Sequence, residues 1–514
     1  MSETQDYDPA LLEKFEQEIW SKIPHVEGDK IVNATPLVDL TADLKECAKS
    51  VFKLNLDDKD FKIYGKFDSE LPSGSIKARA ATHIIHEAIK DGKCNGKRVV
   101  IEATSGNFGI ALGLLSKLGV TVVALVSRKL QEGVFKELRN ENIKIMDLEM
   151  DICPAPGMEN KADEMAAKAT AANIRSQLTE MGFDPQIFDN NLAEIEALLA
   201  KQDIINLARF LAEIYDLFCP KQYDNELNLD IHNTVTAPEI DQQLHELGDS
   251  LEDYALYCSF GTGGTSGGLS KYMSEKYNKK PVHVVFPPLG QDVAGIRTKS
   301  KASGLTLYNP ELYTEHEVDF ENAKLILKYM VDKGHDIGES SALELFAALE
   351  MAYKGEIKKG VVMICDGIEK YRKNFEMIGK GSDVPMRISV EDAAAVAGDY
   401  DNIIWVHTQY TPKEEGIEII AKSLGVDKSK ITVPKASTIN NLLSTQQVPD
   451  ELSKELDGSK GKSLLVCMAG NTSLMTAQVL ASKGIVTQSL NGGITNLPEG
   501  RGKNPGEYIQ VARE

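Results

Sequence analysis

Four short stretches of this 514-residue chain carry residue types that can do chemistry. SGSIKAR, Ser73 to Arg79, sets Lys77 directly after a Gly/Ser turn, at the expected start of a helix. On its own this is a weak signal, since a lone lysine is ordinarily solvated. EATSGNFG, Glu102 to Gly109, follows an apolar run. Its Thr104-Ser105-Gly106-Asn107 turn offers two hydroxyls, an amide and free backbone N–H groups, a set suited to a carboxylate. A plain Ser/Thr-capped turn has the same pattern. FGTGGTSGG, Phe260 to Gly268, lets the backbone approach a phosphate where a helix dipole favours its charge. Ser266 stands where a dinucleotide fingerprint needs its third glycine, so that alternative is not supported. LLVCMAGNTS, Leu464 to Ser473, puts Cys467 at a strand end before a tight loop and a helix. Backbone N–H groups in such a loop favour a thiolate or a persulfide.

Apolar periodicity indicates the elements that position these groups. Residues 8–22 read as an amphipathic helix. From about residue 98, β-branched runs alternate with helical stretches: RVVIE (98–102), VTVVALV (120–126), ALYCSF (255–260), VHVVF (282–286) and GVVMIC (360–365). Continuous apolar runs between helices are what a parallel sheet covered on both faces requires. Residues 157–217 interrupt the rhythm with a helical block that has no strand signal. Around 380–386 the stretch GKGSDVP breaks the pattern again, and a domain boundary is placed there. Beyond it IIWV (403–406) and LLVC (464–467) begin a second α/β unit.

The net charge of −20 repels phosphate backbones and anionic membrane surfaces, so neither nucleic acid nor a membrane is an expected partner. The N-terminus lacks the apolar segment of a secretion signal, and no apolar run is long enough to span a bilayer. Seven dispersed cysteines suit a reducing compartment, so a cytoplasmic location is expected. His83 and His86 lack a third ligand at zinc spacing, and no metal site is expected.

Taken in order, SGSIKAR, TSGNFG and GTGGT resemble motifs of the cysteine synthase and cystathionine β-synthase-like family, the fold type II pyridoxal-phosphate enzymes. NATPLVDL (33–40) and KQYDNELNLDIHNTVTAPEI (221–240) are similar to two further segments of that family. The resemblance covers roughly residues 30–375. It implies an α/β fold of two lobes, tryptophan synthase β-like, a homodimer, and pyridoxal 5'-phosphate as cofactor. By the same resemblance Lys77 is the Schiff-base lysine and Asn107 meets the cofactor's ring oxygen. Thr104, Ser105, Gly106 and Gln222 hold the substrate α-carboxylate, and Gly261, Thr262, Gly263, Gly264 and Thr265 cradle the phosphate. There are departures. Phe108 replaces a family Thr, and Ala78 replaces the usual Asp. The family's Ser-Gly-Glu-Arg-Tyr run, whose Ser meets the pyridine nitrogen, is CDGIEKY here. Aligning Glu369 and Tyr371 puts Gly367 at the Ser position with Asp366 beside it. An aspartate reaching that nitrogen keeps the ring protonated and makes a stronger electron sink.

LLVCMAGNTS with LNGGI (490–494) resembles a single-domain rhodanese over about 385–500, and Val433-Pro434-Lys435-Ala436 is similar to that family's central turn. Cys467 is then the sulfur acceptor. His407-Thr408-Gln409 stands where an Asp-x-Arg is usual, and no Arg lies in the Cys467 loop, which disfavours a small anionic donor. A docking module without catalysis is the alternative.

The expected organisation is therefore a pyridoxal-phosphate domain over 1–380, with a helical insertion at about 157–217, and a small α/β rhodanese-like domain over 385–514. The expected reaction is β-replacement on a small amino acid, an O-activated serine with sulfide or a thiol, coupled to sulfane sulfur transfer. A cysteine desulfhydrase-type C–S lyase passing sulfur to Cys467 and a non-catalytic regulator are the alternatives.

Overall fold

The computed structural model describes residues 7–96, 98–126, 131–148, 164–201, 203–288, 291, 293–378, 387–406, 410–412, 414–457, 462–468, 470–483, 485–500 and 509–511. GKGSDVP and His407-Thr408-Gln409 lie outside them. The chain divides into two compact units. One comprises Met1–Met158, Lys168–Pro287 and Val293–Arg372; the other comprises Glu159–Ala167, Pro288–Asp292 and Lys373–Glu514.

In the first unit β1 (Leu37–Asp39) and β2 (Lys62–Phe67) precede the helix Lys77–Lys90. Then come β3 (Val100–Ala103), β4 (Val122–Val126) and β5 (Lys144–Asp147). After a run of helices follow β6 (Ala255–Ser259), β7 (Val282–Phe286), β8 (Thr314–Glu317) and β9 (Lys359–Ile364). One lobe is a six-stranded sheet of order β8-β7-β6-β9-β2-β1, parallel except for β1 against β2. The smaller lobe is the parallel sheet β3-β4-β5. Every residue of β4 and β6 is buried. Their unbroken burial fits strands inside a parallel sheet, and β6 meets the helices Gly264–Tyr277 and Glu339–Lys354.

The 157–217 block contains the helices Glu164–Glu180, Pro185–Asn190, Leu192–Ala200 and Ile204–Ile214. The last packs on β3 and buries Ile204, Ile205, Leu207, Ala208 and Leu211. At least this helix is core of the smaller lobe, and an arginine clamp between Arg175 and Asp189 braces two of the others.

A group of four charges lies wholly inside the first unit. Lys66 on β2, Asp68 just after it, Arg79 on the Lys77 helix and Glu239 have no side-chain exposure. Arg79 forks onto both Asp68 oxygens at 2.7 Å and reaches Glu239 at 2.6 Å. Lys66 Nζ donates to Glu239 at 2.5 Å, to the Thr35 carbonyl at 2.6 Å and to Gln243 at 2.8 Å. The Thr35 hydroxyl donates to Asp68 and its N–H to Glu239, each at 2.7 Å.

The second unit has a five-stranded parallel sheet. Its strands are β10 (Arg387–Ile388), β11 (Tyr400–Trp405), β12 (Ile431–Thr432), β13 (Lys462–Val466) and β14 (Thr487–Leu490), in the order β10-β14-β13-β11-β12. Two apolar cores cover its faces, one around Trp405 and Leu464, the other around Ile404 and Leu465. Among the described residues no helix is long and apolar enough to cross a membrane.

Replacing Arg79 by Met leaves two carboxylates sharing one buried cation. The expected cost is about 3–5 kcal/mol, read as a lower denaturant midpoint for the variant by circular dichroism.

Candidate active site

Lys77 opens its helix because the preceding loop is pinned to the end of β9. Ile76 N–H donates to the Cys365 carbonyl at 2.7 Å, Ser75 bridges Asp366, and Gly74 takes a positive φ of 66°. The amine lies beside the glycine loop: a β-carbon built on Gly261 would stand 3.7 Å from Lys77 Nζ. Burial pushes the Lys77 ammonium below the ordinary lysine range, opposed by Cys365, Asp366, Cys258 and Glu344 nearby. The shift leaves more free amine to attack a carbonyl.

The loop leads into the helix Gly264–Tyr277, whose N-cap is Gly263 at φ +94° with no capping side chain. Its first-turn N–H groups therefore have no side-chain acceptor, the arrangement that favours an anion. Clearance dictates the glycines. A β-carbon on Gly264 would meet Asn228 Oδ1 at 2.2 Å, and one on Gly268 would meet His232 Cβ at 2.5 Å. Asn228 Nδ2 donates to the Thr262 hydroxyl at 2.9 Å and to the Gln222 carbonyl at 2.8 Å. His232 opens a π-turn, His232–Thr236, and its ring lies 3.0 Å from the Thr236 hydroxyl and 3.3 Å from that of Thr265. Burial pushes this imidazole down to about 3, so it is neutral, with one nitrogen donating and the other accepting.

The Thr104 hydroxyl oxygen accepts the Gly106 and Gly109 N–H groups, each at 3.1 Å, and so caps the helix Asn107–Leu112. Gly106 takes φ +128° to make the turn. Ser105 is partly exposed and faces Gly295, where a β-carbon would lie 3.9 Å from its hydroxyl. Gln222 is buried, and its Nε2 donates to the Ala103 carbonyl at 2.9 Å. The structure thus brings Gln222 to the strand that ends in the Thr104 turn. Phe108 is buried at 2% exposure, so the departure at this position serves packing.

Asp366 sits at the junction of the lobes. Its Oδ2 accepts Asn107 Nδ2 at 2.7 Å and the Tyr371 hydroxyl at 2.5 Å, while Oδ1 is buried without a protein partner. Gly367 packs against Asp336, whose Oδ2 would stand 2.2 Å from a β-carbon there.

Two buried acids escaped the sequence reading, because single glutamates in apolar elements carry no motif. Glu102 on β3 accepts the Gln222 and Ala103 N–H groups at 3.1 and 3.0 Å, and burial pushes its carboxyl up to about 7. Glu344 accepts the Ser259 hydroxyl at 2.7 Å and the Ser259 N–H at 2.8 Å. Burial pushes it up to about 8. Lys66, Asp68 and Glu239 were missed likewise; a lysine inside the strand KIYGKF was the available signal.

In the second unit Cys467 ends β13, the central strand. Its Sγ accepts Gly470 N–H at 3.1 Å and the Ser473 hydroxyl at 3.3 Å. The residue is only 3% exposed, and Gly493 packs closely against its carbonyl. Among the described residues no cluster could hold a metal ion.

The two-lobed fold with this lysine–glycine-loop geometry is that of the type II pyridoxal-phosphate enzymes. Residues 46–367 match the family described as pyridoxal-phosphate dependent enzyme, and the chain belongs to that family. It is 28% identical over 323 residues to a probable cysteine synthase of Bacillus subtilis, covering 60% of this chain and 88% of that one. It is 27% identical over 362 residues to cysteine synthase B of Campylobacter jejuni, covering 68% and 97%. A crystal structure of an O-ureido-L-serine synthase variant shares the fold, with a TM-score of 0.51 at 21% identity over 71% of this chain and 95% of that one. The cofactor of this family is pyridoxal 5'-phosphate, and the residues present fit it. Lys77 supplies an amine for its aldehyde beside an uncapped helix start for its phosphate. The buried hydroxyl of Ser75 and Oδ1 of Asp366 lack protein partners, a deficit that a bound polar group can make good.

Borohydride treatment of the yellow holoprotein should fix the cofactor to the peptide containing Lys77; a colourless protein that takes up no pyridoxal phosphate would contradict the assignment. Glu102 predicts a pH dependence of stability. Its carboxyl is pushed up to about 7 in the folded state, against about 4.3 in an unfolded chain. Its contribution is full below the lower value and is lost as pH rises through the upper one. Denaturation midpoints of Glu102→Gln relative to the parent chain should therefore rise from about pH 4 to about pH 7 and level off above that.

Proposed function

We propose that this chain is a cytosolic, homodimeric enzyme of β-replacement on a small amino acid: an O-activated serine reacts with sulfide or a thiol. The observation that carries the reading is the Lys77 amine beside the glycine loop at Gly261. The named cysteine synthases among the relatives support the substrate class. The cofactor, when bound, supplies an electron sink for negative charge at the substrate's Cα. In this reading Lys77 anchors the cofactor, removes the α-proton and returns it after the β-carbon has exchanged its oxygen leaving group for sulfur. Thr104, Ser105, Gly106 and Gln222 take the α-carboxylate, and Gly261 to Thr265 take the phosphate. Asn107 donates to the ring oxygen, and Asp366 and Gly367 border the ring.

The second unit is read as rhodanese-like. A parallel sheet places ligands outside the carboxyl ends of its strands, where Cys467 lies with an N–H and a hydroxyl donor on its sulfur. In this reading a sulfur-bearing donor transfers a sulfane sulfur to the Cys467 thiolate, forming a persulfide and releasing the donor's remaining thiol or anion. Its 3% exposure means that the surrounding loop must yield before a donor reaches it.

Purified holoprotein incubated with cysteine, O-acetylserine and O-phosphoserine, each with and without sulfide, and separately with a small-molecule persulfide as sulfane donor, tests both parts. Cysteine formed from an O-activated serine and sulfide supports β-replacement. Pyruvate with sulfide from cysteine alone would instead make the chain a C–S lyase. A gain of one sulfur on the Cys467 peptide by mass spectrometry, absent from Cys467→Ser, supports sulfur transfer. Unchanged mass and unchanged products in that variant reduce the second unit to a docking module.

A further inference from the structure

We propose that Asp366, Lys370 and Tyr371 are positioning residues that lock the Asn107 amide in one orientation, holding one Nδ2–H ready for the cofactor's ring oxygen. The inference rests on the reading of Asn107 as that oxygen's donor and assigns three residues that act through it. Lys370 Nζ donates to Asn107 Oδ1 at 2.6 Å, while Asn107 Nδ2 donates to Asp366 Oδ2 at 2.7 Å and to the Tyr371 hydroxyl at 3.3 Å. Turning the amide over would set its NH2 against an ammonium and its oxygen against a carboxylate. Lysine has only donors and a carboxylate only acceptors, so the chemistry of the neighbours fixes the orientation.

The count of hydrogens matters next. The Tyr371 hydroxyl donates to Asp366 Oδ2 at 2.5 Å, so the two acceptors around Nδ2 stand side by side. They share one flank of the nitrogen and one N–H. The other N–H has no partner among the described residues, and Asn107 is partly exposed whereas Asp366 and Lys370 are buried.

The frame that does the locking is itself tied down. Lys370 Nζ donates a second time, to the Gly74 carbonyl at 3.2 Å, in the loop that leads to Lys77. Asp366 is bridged to Ser75, and its carbonyl accepts Gly338 N–H at 2.7 Å. All three positioning residues follow β9 of the larger lobe, while Asn107 follows β3 of the smaller one. The amide is therefore set only when the lobes meet. With Asp366 Oδ2 committed to this frame, the influence of that oxygen on the ring oxygen runs through Asn107.

A donor on the ring oxygen stabilises its ionised form, which absorbs in the visible, over the protonated form, which absorbs in the near ultraviolet. The ratio of the two bands in the loaded protein, and the affinity of apoprotein for pyridoxal phosphate, report the lock independently of turnover. Lys370→Met and Asp366→Ala should each weaken pyridoxal-phosphate binding about tenfold and lower the visible share of the spectrum. Tyr371→Phe, the mildest change, should move the spectrum the same way, and Lys370→Arg should restore both readouts. In an Asn107→Ala background, Lys370→Met should change neither, because its effect runs through that amide. Equal losses with and without Asn107 would overturn the proposal, as would folded single variants with unaltered band ratios. If Asn107→Ala itself leaves affinity and spectrum untouched, the reading of Asn107 fails and the lock fails with it.

Discussion

The first unit depends on four charges with no side-chain exposure. Taking ions out of solvent costs several kcal/mol each, roughly, so every one of them must be met by an opposite charge in good geometry. Lys66, Asp68, Arg79 and Glu239 meet that demand only if β2, the Lys77 helix and the helix Ala237–Glu246 stand in one relation, with Thr35 threaded between them. Arg79 lies two residues beyond Lys77 on the same helix, so the guanidinium fork that satisfies Asp68 also fixes how the Lys77 amine is presented. Apolar packing alone would tolerate small rotations of that helix; a bidentate pair does not.

Close approach of backbone is the second constraint. The glycines at 264, 267 and 268 read as a phosphate loop, and in the folded chain they also give clearance to the segment Asn228–His232. The π-turn beginning at His232 is pressed against Gly268, which brings the imidazole to Thr265. A side chain at Gly264 or Gly268 would displace the backbone of that segment and with it the Asn228 bonds to Thr262 and Gln222, whereas one at Gly267 would meet only the Leu229 side chain. The glycine loop and the Gln222 segment are mechanically one. Gly133 plays a similar part between the lobes, since a β-carbon there would strike the Lys370 carbonyl at 2.2 Å.

The second unit shows how far residue type can stand from accessibility. Cys467 has an N–H and a hydroxyl donor on its sulfur, yet the residue is only 3% exposed. The glycines at 470, 492 and 493, all at positive φ, let the turns there pack against one another and against the Cys467 carbonyl because they carry no side chains.

Much was legible without coordinates. The runs at 98–102, 120–126, 255–260, 282–286 and 360–365 became β3, β4, β6, β7 and β9, because an apolar run between helices has few other stable uses. The order of lysine, Thr-Ser-Gly-Asn turn and glycine loop was equally plain, because each needs particular residue types in a short span. The sequence by itself thus determined the parallel architecture and the cofactor class, and it singled out Lys77 as the candidate lysine. Only the tertiary structure decided which charges pair. Lys66 and Glu239 are far apart in the chain, and a single charged residue in an apolar element shows no periodicity. It likewise decided that Asn107 is gripped by Asp366 and Lys370, that Phe108 is core, that Ile204–Ile214 covers β3, and that Cys467 is enclosed. Burial and long-range hydrogen bonding depend on what the rest of the chain places nearby, and that is a property of the folded molecule alone.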